Sequence, residues 1–249
     1  MTAADRRSVR LARYEQLRAE RPHLFVNPPA AAYEILFDRA DQDAVADEAA
    51  GRLRAAGIPE EYGDIGIVYE DQYFLLVRDA VRFRTGRRGG YVRFVGTDPG
   101  ANVAVVPLVS DGRMVLVRHF RHGTRQWHWE IPRGFSEPGA AAVSTARREL
   151  AEEVGLRVDT VRLLGRVCTD GDLDEIYLAE LEPAAVAGLA SSPPATGDAV
   201  EEGIDEIRLV SLVECARMIA EGEIVDMYLL AAYAFLAVRG IGFGAPPRG

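Results

Sequence analysis

The chain has 249 residues, 48% of them hydrophobic and 27% charged, and a formal net charge of −9. That length and balance support a sizeable core in one large or two small domains, and the acidic charge argues against a nucleic-acid backbone or an anionic membrane as partner. The cysteines, Cys168 and Cys215, form no CxxC pair, which excludes a disulfide framework and a structural zinc site; both read as small core residues.

Leu11, Tyr14, Leu17 and Arg18 recur at helical spacing until Pro22 and the Asn27-Pro28-Pro29 turn break the pattern. A second helix is expected over about residues 43–56, stopped by Gly57 and Pro59. From Ile65 the texture changes to β-branched and aromatic residues. IGIVYEDQYFLLVRDAVRF reads as two strands joined near Glu70-Asp71, and GGYVRFVG as a third after a basic turn. ANVAVVPLVS and RMVLVRHFRH flank Asp111-Gly112, a favoured tight-turn pair, and read as a hairpin. Trp127–Ile131 gives a short strand ended by Pro132. A helix over about residues 140–154 follows, with Gly155 as its stop. VDTVRLLGRVCT, EIYLAELEP and EIRLVSL supply further strands, residues 184–203 a mobile small-residue loop, and 213–238 one or two closing helices. Strands around a central helix, with helices at both ends, indicate an α+β fold.

The helix over 140–154 carries the chemistry. Its RRELAEE run sets Glu149 beside both Glu152 and Glu153, since residues three and four apart share a helix face. Like charges so placed repel by about 0.2–0.5 kcal/mol per pair, and a divalent cation turns that repulsion into binding. Carboxylate oxygens suit Mg²⁺ and Mn²⁺, and Mg²⁺ completes its shell with water and substrate phosphates.

The stretch GFSEPGAAAVSTARRELAEEVGL resembles the Nudix box, G-x5-E-x7-R-E-U-x-E-E-x-G-U with U aliphatic. Gly134, Arg148, Glu149, Leu150, Glu152, Glu153, Gly155 and Leu156 fall in register; Ala140 stands where the pattern has its first Glu. The resemblance implies a Nudix-type α/β/α sandwich with a mixed β-sheet over about residues 88–240, preceded by a helical N-terminal extension. Three segments are expected: the extension over 1–65, the Nudix domain with its leading strands over 66–240, and a tail over 241–249. It further implies Mg²⁺ or Mn²⁺ held by Glu149 and Glu153, by the backbone carbonyl of Arg133 just before Gly134, and by Glu152, which would share the metal or hold its water. Arg148 and Gly155 are structural residues of the box. With Ala140 in place, Arg148 needs another partner, Glu152 or Glu137.

RHFRHGTRQWHWEIPRG resembles the segment before the box in ADP-ribose pyrophosphatases and related nucleoside diphosphate sugar hydrolases. By that likeness Arg121, Glu130 and Gly134 bind substrate, Arg121 through phosphate; a surface ion pair is the alternative for Arg121. Trp127 reads as core. His119, His122 and His128 read as packing and hydrogen-bonding residues. The resemblance also implies an acid from the loop before the last strand as general base or further ligand; EEGIDEIRLV offers Glu201, Glu202 and Asp205, and the pattern does not choose among them. The loop that carries Asp170, Asp172, Asp174 and Glu175 borders substrate by the same resemblance, with Glu175 the pick. Glu223 and Asp226 read as helix-start residues.

The expected activity is metal-dependent hydrolysis of the pyrophosphate bond of a nucleoside diphosphate sugar, ADP-ribose first. The products would be a nucleoside monophosphate and a sugar phosphate. The alternative, resting on Ala140, is a weakened or inactive nucleotide-binding protein on the same fold. The resemblance also implies a homodimer whose strands over 66–94 help build the partner's site. The charged start shows no signal-peptide pattern and the run 227–238 is too short to span a bilayer, so a cytoplasmic location is expected.

Overall fold

Thr2 caps the first helix, α1 (Ala3–Glu20), through a reciprocal pair of hydrogen bonds with Asp5. It buries Leu11, Tyr14 and Leu17, the apolar positions spaced for one face. After β1 (Tyr33–Ile35), Asp38 caps α2 (Arg39–Ala55), which starts four residues earlier than its apolar pattern suggests because the cap fixes the first turn. Next come β2 (Gly66–Glu70), β3 (Phe74–Phe83) and β4 (Arg88–Gly96). β3 lies at the centre of an antiparallel sheet, paired with β1, β2 and β4. Its Leu75 and Val77 pack with Tyr14 and Leu17 of α1. Asp64 is fully buried and accepts from Arg6, Arg7 and Arg10, an anchor for α1 that the sequence pattern did not reveal.

The computed structural model describes residues 2–97, 102–136, 139–169, 173–189 and 197–242. It divides into two units, Met1–Asp98 and Pro99–Gly249. The break therefore falls near residue 98 and not at 65. The strands β2–β4 belong with the N-terminal helices because their inward side chains are what those helices bury.

The second unit begins with β5 (Val103–Val109), β6 (Arg113–Arg121), β7 (Gln126–Glu130) and the two-residue β8 (Arg133–Gly134). It continues through α3 (Ala142–Val154), β9 (Arg162–Cys168), β10 (Leu173–Leu181), α4 (Gly197–Glu201), β11 (Ile204–Ser211), α5 (Leu212–Ala220) and α6 (Met227–Val238). Its sheet runs β11-β6-β5-β10-β9, with β7 beside β6 and β8 beside β5. β10 is parallel to β5 and the other pairings are antiparallel, so the sheet is mixed. Every residue of β5 is buried, as a strand covered on both faces requires. Val103, Val105, Val115 and Val117 meet Ala146 and Leu150 of α3 on one face. On the other, Ala104, Val106 and Leu116 meet Cys215 of α5 and Leu229 and Leu236 of α6. That is the expected α/β/α layering.

Two expectations change. Residues 183–189 and 197–203 are not simply loop: a 3-10 turn (Pro183–Val186) and α4 send Val186 and Ala199 into the α3-side core. Cys168 is exposed at the end of β9, while Cys215 is buried as read. Residues 190–196, Glu137, Asp170 and Asp172 lie outside the described residues.

Candidate active site

Helix α3 buries Thr145, Ala146, Glu149, Leu150, Glu153 and Val154, a stripe of i, i+1, i+4 spacing. Two of those buried positions are acidic. Glu149 is 5% exposed and Glu153 2%. Gly155 ends the helix in the left-handed region, φ 76°, which glycine adopts without strain. Gly134 on β8 faces the first acid so closely that a Cβ there would lie 2.1 Å from Glu149 Oε1. The box glycine is needed because the carboxylate occupies the space of a side chain.

Burial disfavours both charges. It pushes Glu149 up to about 7, with Arg148 opposing and the Glu152 and Glu202 charges adding. Glu153 is pushed well above the ordinary carboxylate range by burial, then by Glu149 and Glu202. Glu153 Oε2 is buried with no hydrogen-bond partner, an arrangement that ordinarily calls for an unseen ion or water. Glu202, exposed on the turn before β11, acts on both α3 acids. Asp205 does not enter either balance. It is a bulged residue of β11, held by Arg118 through two hydrogen bonds of 2.8 and 2.6 Å. Of these loop acids, Glu202 is the one whose charge raises Glu149 and Glu153.

Glu152 turns the other way. Its side chain is 43% exposed and accepts from Arg148 Nη1 at 2.6 Å. Arg148 also meets Glu149 Oε1 at 2.7 Å and donates to the Phe135 carbonyl at 2.9 Å. The guanidinium freed by Ala140 is thus fully engaged, and Glu152 is its partner. Two of the box acids point inward, where the spacing alone suggested three.

A cleft of about 80 Å³ opens beside Gly134, lined by Asn102, Val103, Arg121, Arg133, Phe135 and Tyr228. Glu130, 1% exposed, forms its support. It accepts from Arg121 Nε at 2.9 and 3.1 Å and from Arg133 Nε at 3.0 Å. Burial opposes its charge, yet the Arg121 hydrogen bond and the two guanidinium charges carry it below the ordinary carboxylate range. Glu130, expected to bind substrate, is instead enclosed and holds the arginines that face the cleft. On the far side Asp174, fully buried, accepts from Tyr228 Oη at 2.5 Å, Thr169 Oγ1 at 3.1 Å and the Asn102 amide at 3.2 Å. Sequence reasoning passed over Asp174 in favour of its neighbour Glu175, and it missed Tyr228. Asp226 caps α6 through Oδ1 and also meets Arg133 at 3.4 Å.

Glu175 accepts from Arg166 at 2.9 and 2.6 Å and from Tyr177 Oη at 2.6 Å, so it braces β9 against β10. Trp127 is 46% exposed and not core: it lies on β7, which among the described residues pairs only with β6, and its ring meets Phe120 edge-on. His128 and His122 bond to Thr124 and Arg125. His119 is buried, and burial together with the Arg121 charge lowers it to about 4, so it is neutral near pH 7.

Residues 98–229 match the NUDIX domain family. The chain belongs to that family. An ADP-ribose pyrophosphatase of Mycobacterium tuberculosis (strain ATCC 25618 / H37Rv) is 33% identical over 180 residues, 70% of this chain and 81% of that protein. A methanol dehydrogenase activator of Bacillus methanolicus is 32% identical over 145 residues, 57% of this chain and 74% of that protein. The crystal structure of an ADP compounds hydrolase matches in fold with a TM-score of 0.54 at 20% identity, covering 72% of this chain and 92% of that one. The chain is a Nudix pyrophosphohydrolase related to ADP-ribose pyrophosphatases.

Nudix enzymes generally use divalent cations, and the residues here fit one. The donors are hard oxygens, one of them a buried carboxylate oxygen without a partner. Among the described residues no three His, Cys, Asp or Glu side chains form a complete cage.

Proposed function

We propose that this chain hydrolyses the pyrophosphate bond of a nucleoside diphosphate sugar, ADP-ribose first, to a nucleoside monophosphate and a sugar phosphate, using Mg²⁺ or Mn²⁺. The observation that carries the proposal is the pair of inward carboxylates, Glu149 and Glu153, set beside a cleft lined by Arg121. The ADP-ribose pyrophosphatase activity named for the Mycobacterium tuberculosis relative supports the substrate.

Glu149 and Glu153, with the Arg133 carbonyl, would hold the ion. Once bound, it neutralises phosphate charge and makes water a better nucleophile at neutral pH. The chain's own residues do the rest. Arg121, fixed by Glu130, presents a planar fork to phosphate oxygens. Gly134 lets backbone and carboxylate approach a phosphate without a side chain between them. Glu202, exposed on the turn before β11, is assigned to accept the proton of the attacking water. Glu152 keeps Arg148 in place, and that replaces the support lost with Ala140.

A homodimer in the cytoplasm, with residues 66–94 contributing to the partner's site, completes the proposal by resemblance to the subfamily. The test is turnover of a panel of nucleoside diphosphate sugars with Mg²⁺ or Mn²⁺, products separated by anion exchange. Formation of a nucleoside monophosphate and sugar phosphate in equal amounts supports the reading. Release of inorganic phosphate or pyrophosphate instead would move the cleaved bond and overturn it.

A further inference from the structure

We propose that the Arg133 side chain is a second substrate-binding cation, which forms with Arg121 a two-guanidinium fork for one phosphate group. The proposal rests on the hydrolase reading for the identity of the anion, and on the cleft geometry for the site.

Three contacts set the Arg133 side chain. Nε donates to Glu130 Oε2 at 3.0 Å, Nη2 meets Asp226 Oδ2 at 3.4 Å, and the guanidinium lies 4.7 Å from the centre of the Tyr228 ring. Each acid also has another partner. Glu130 receives Arg121 through both Nε and Nη2, and Asp226 caps α6. Arg133 is thus a second cation on a carboxylate that Arg121 already pairs. Both arginines spend their Nε edges on Glu130, which leaves N–H donors of each for the cleft they line.

The cleft, about 80 Å³, suits a small anionic group and not a nucleoside. Its other lining residues, Asn102, Val103, Gly134, Phe135 and Tyr228, carry no carboxylate, and Glu149 lies against Gly134. Tyr228 is itself held by buried Asp174, so the platform under Arg133 is rigid. Guanidinia held this way lose little freedom on binding, and planar forks match phosphate oxygens. Nothing in the box pattern asks for arginine before its glycine, so the second cation is a property of this chain's own cleft.

The experiment compares wild type with Arg133→Met and Arg133→Lys, and with Arg208→Met as a control outside the cleft. Two quantities are read: kcat and KM for ADP-ribose, and calorimetric affinity of the chelator-treated protein for adenosine monophosphate and ribose 5-phosphate. For Arg133→Met, KM should rise about tenfold to a hundredfold with kcat within about threefold, because a charge-assisted contact made equally before and during reaction is lost. Affinity for at least one product should fall by a similar factor. Unchanged affinity for both products, or a fall in kcat alone, overturns the proposal and leaves Arg133 a support for Glu130. If Arg133→Met does not fold, Arg133→Lys decides: it keeps the charge without the fork, so product affinity should fall several-fold, and wild-type affinity would refute the fork. The binding arm needs no turnover. Absence of hydrolysis in wild type would sink the hydrolase reading while the product affinities still judge Arg133.

Discussion

Replacing Glu149 by Gln should make the metal-free protein more stable at pH 8 while it disables the enzyme. Glu149 is 5% exposed and titrates near 7 in the folded chain against 4.5 for a free carboxylate. A raised carboxylate favours folding below its unfolded value, and that contribution is lost as pH climbs through 7. At pH 8 the residue is charged in both states, and the folded state bears about 3 kcal/mol for keeping that charge buried, 1.36 kcal/mol for each pH unit between 4.5 and 7. Gln removes the charge at nearly constant shape, and the 2.7 Å attraction to Arg148 is already contained in the value near 7. The gain at pH 8 is therefore on the order of 2–3 kcal/mol, or roughly 4–12 °C in melting temperature for a unit of this size. At pH 5 wild-type Glu149 is protonated when folded, so the gain should vanish or reverse. Trp127 and Trp129 both lie in the second unit, so tryptophan fluorescence during heating in chelator reports that unit alone. A variant less stable than wild type at pH 8, or a gain equal at pH 5 and pH 8, would refute the assignment of Glu149 as a buried charge awaiting a cation. Added Mg²⁺ should raise the wild-type melting temperature more than that of Glu149→Gln, since only binding to the folded state stabilises it.

Further outcomes follow from the same geometry. Gly134→Ala puts a Cβ 2.1 Å from Glu149 Oε1; the carboxylate must shift, and Mg²⁺ affinity measured by calorimetry should fall about tenfold or more, the scale seen when groups supporting a ligand are disturbed. Ala140→Glu should leave kcat/KM equal or higher, because Arg148 already has Glu152 and needs no second acid; a large loss would show that the site is built around the small side chain. Asp174→Ala strips three hydrogen bonds from a fully buried acid. It should lower stability by about 2–4 kcal/mol, read as a shift in the urea midpoint, and Tyr228→Phe, which removes one of the three, should lower it less.

Much of this molecule was legible because its signals are local. The 149–153 acids, the stop at Gly155 and the Asp111-Gly112 turn each depend on residues within one helical turn or hairpin. What escaped depends on distant partners. Asp174 meets Tyr228 across 54 positions, and nothing in DLDEIYL says which helix will cover that strand. Spacing grouped Glu152 with its neighbours, but only the packing of Ala146 and Leu150 against the sheet decides that Glu149 and Glu153 turn inward while Glu152 faces out. Trp127 looked like core because tryptophan usually is, yet an edge strand leaves half of it in water. The unit boundary was misplaced because β2–β4 read as strands equally well on either side of it. The choice is made by Leu75 and Val77 packing on α1.

The most direct test of the central claim is initial-rate hydrolysis of ADP-ribose across a Mg²⁺ titration, for wild type and for Glu153→Gln. Wild type should show saturable, chelator-sensitive formation of adenosine monophosphate and ribose 5-phosphate. The variant should lose at least a hundredfold in kcat/KM, more than is lost by disturbing a group that only supports a ligand. Equal rates for the two proteins, or wild-type turnover indifferent to Mg²⁺ and to chelator, would contradict that claim.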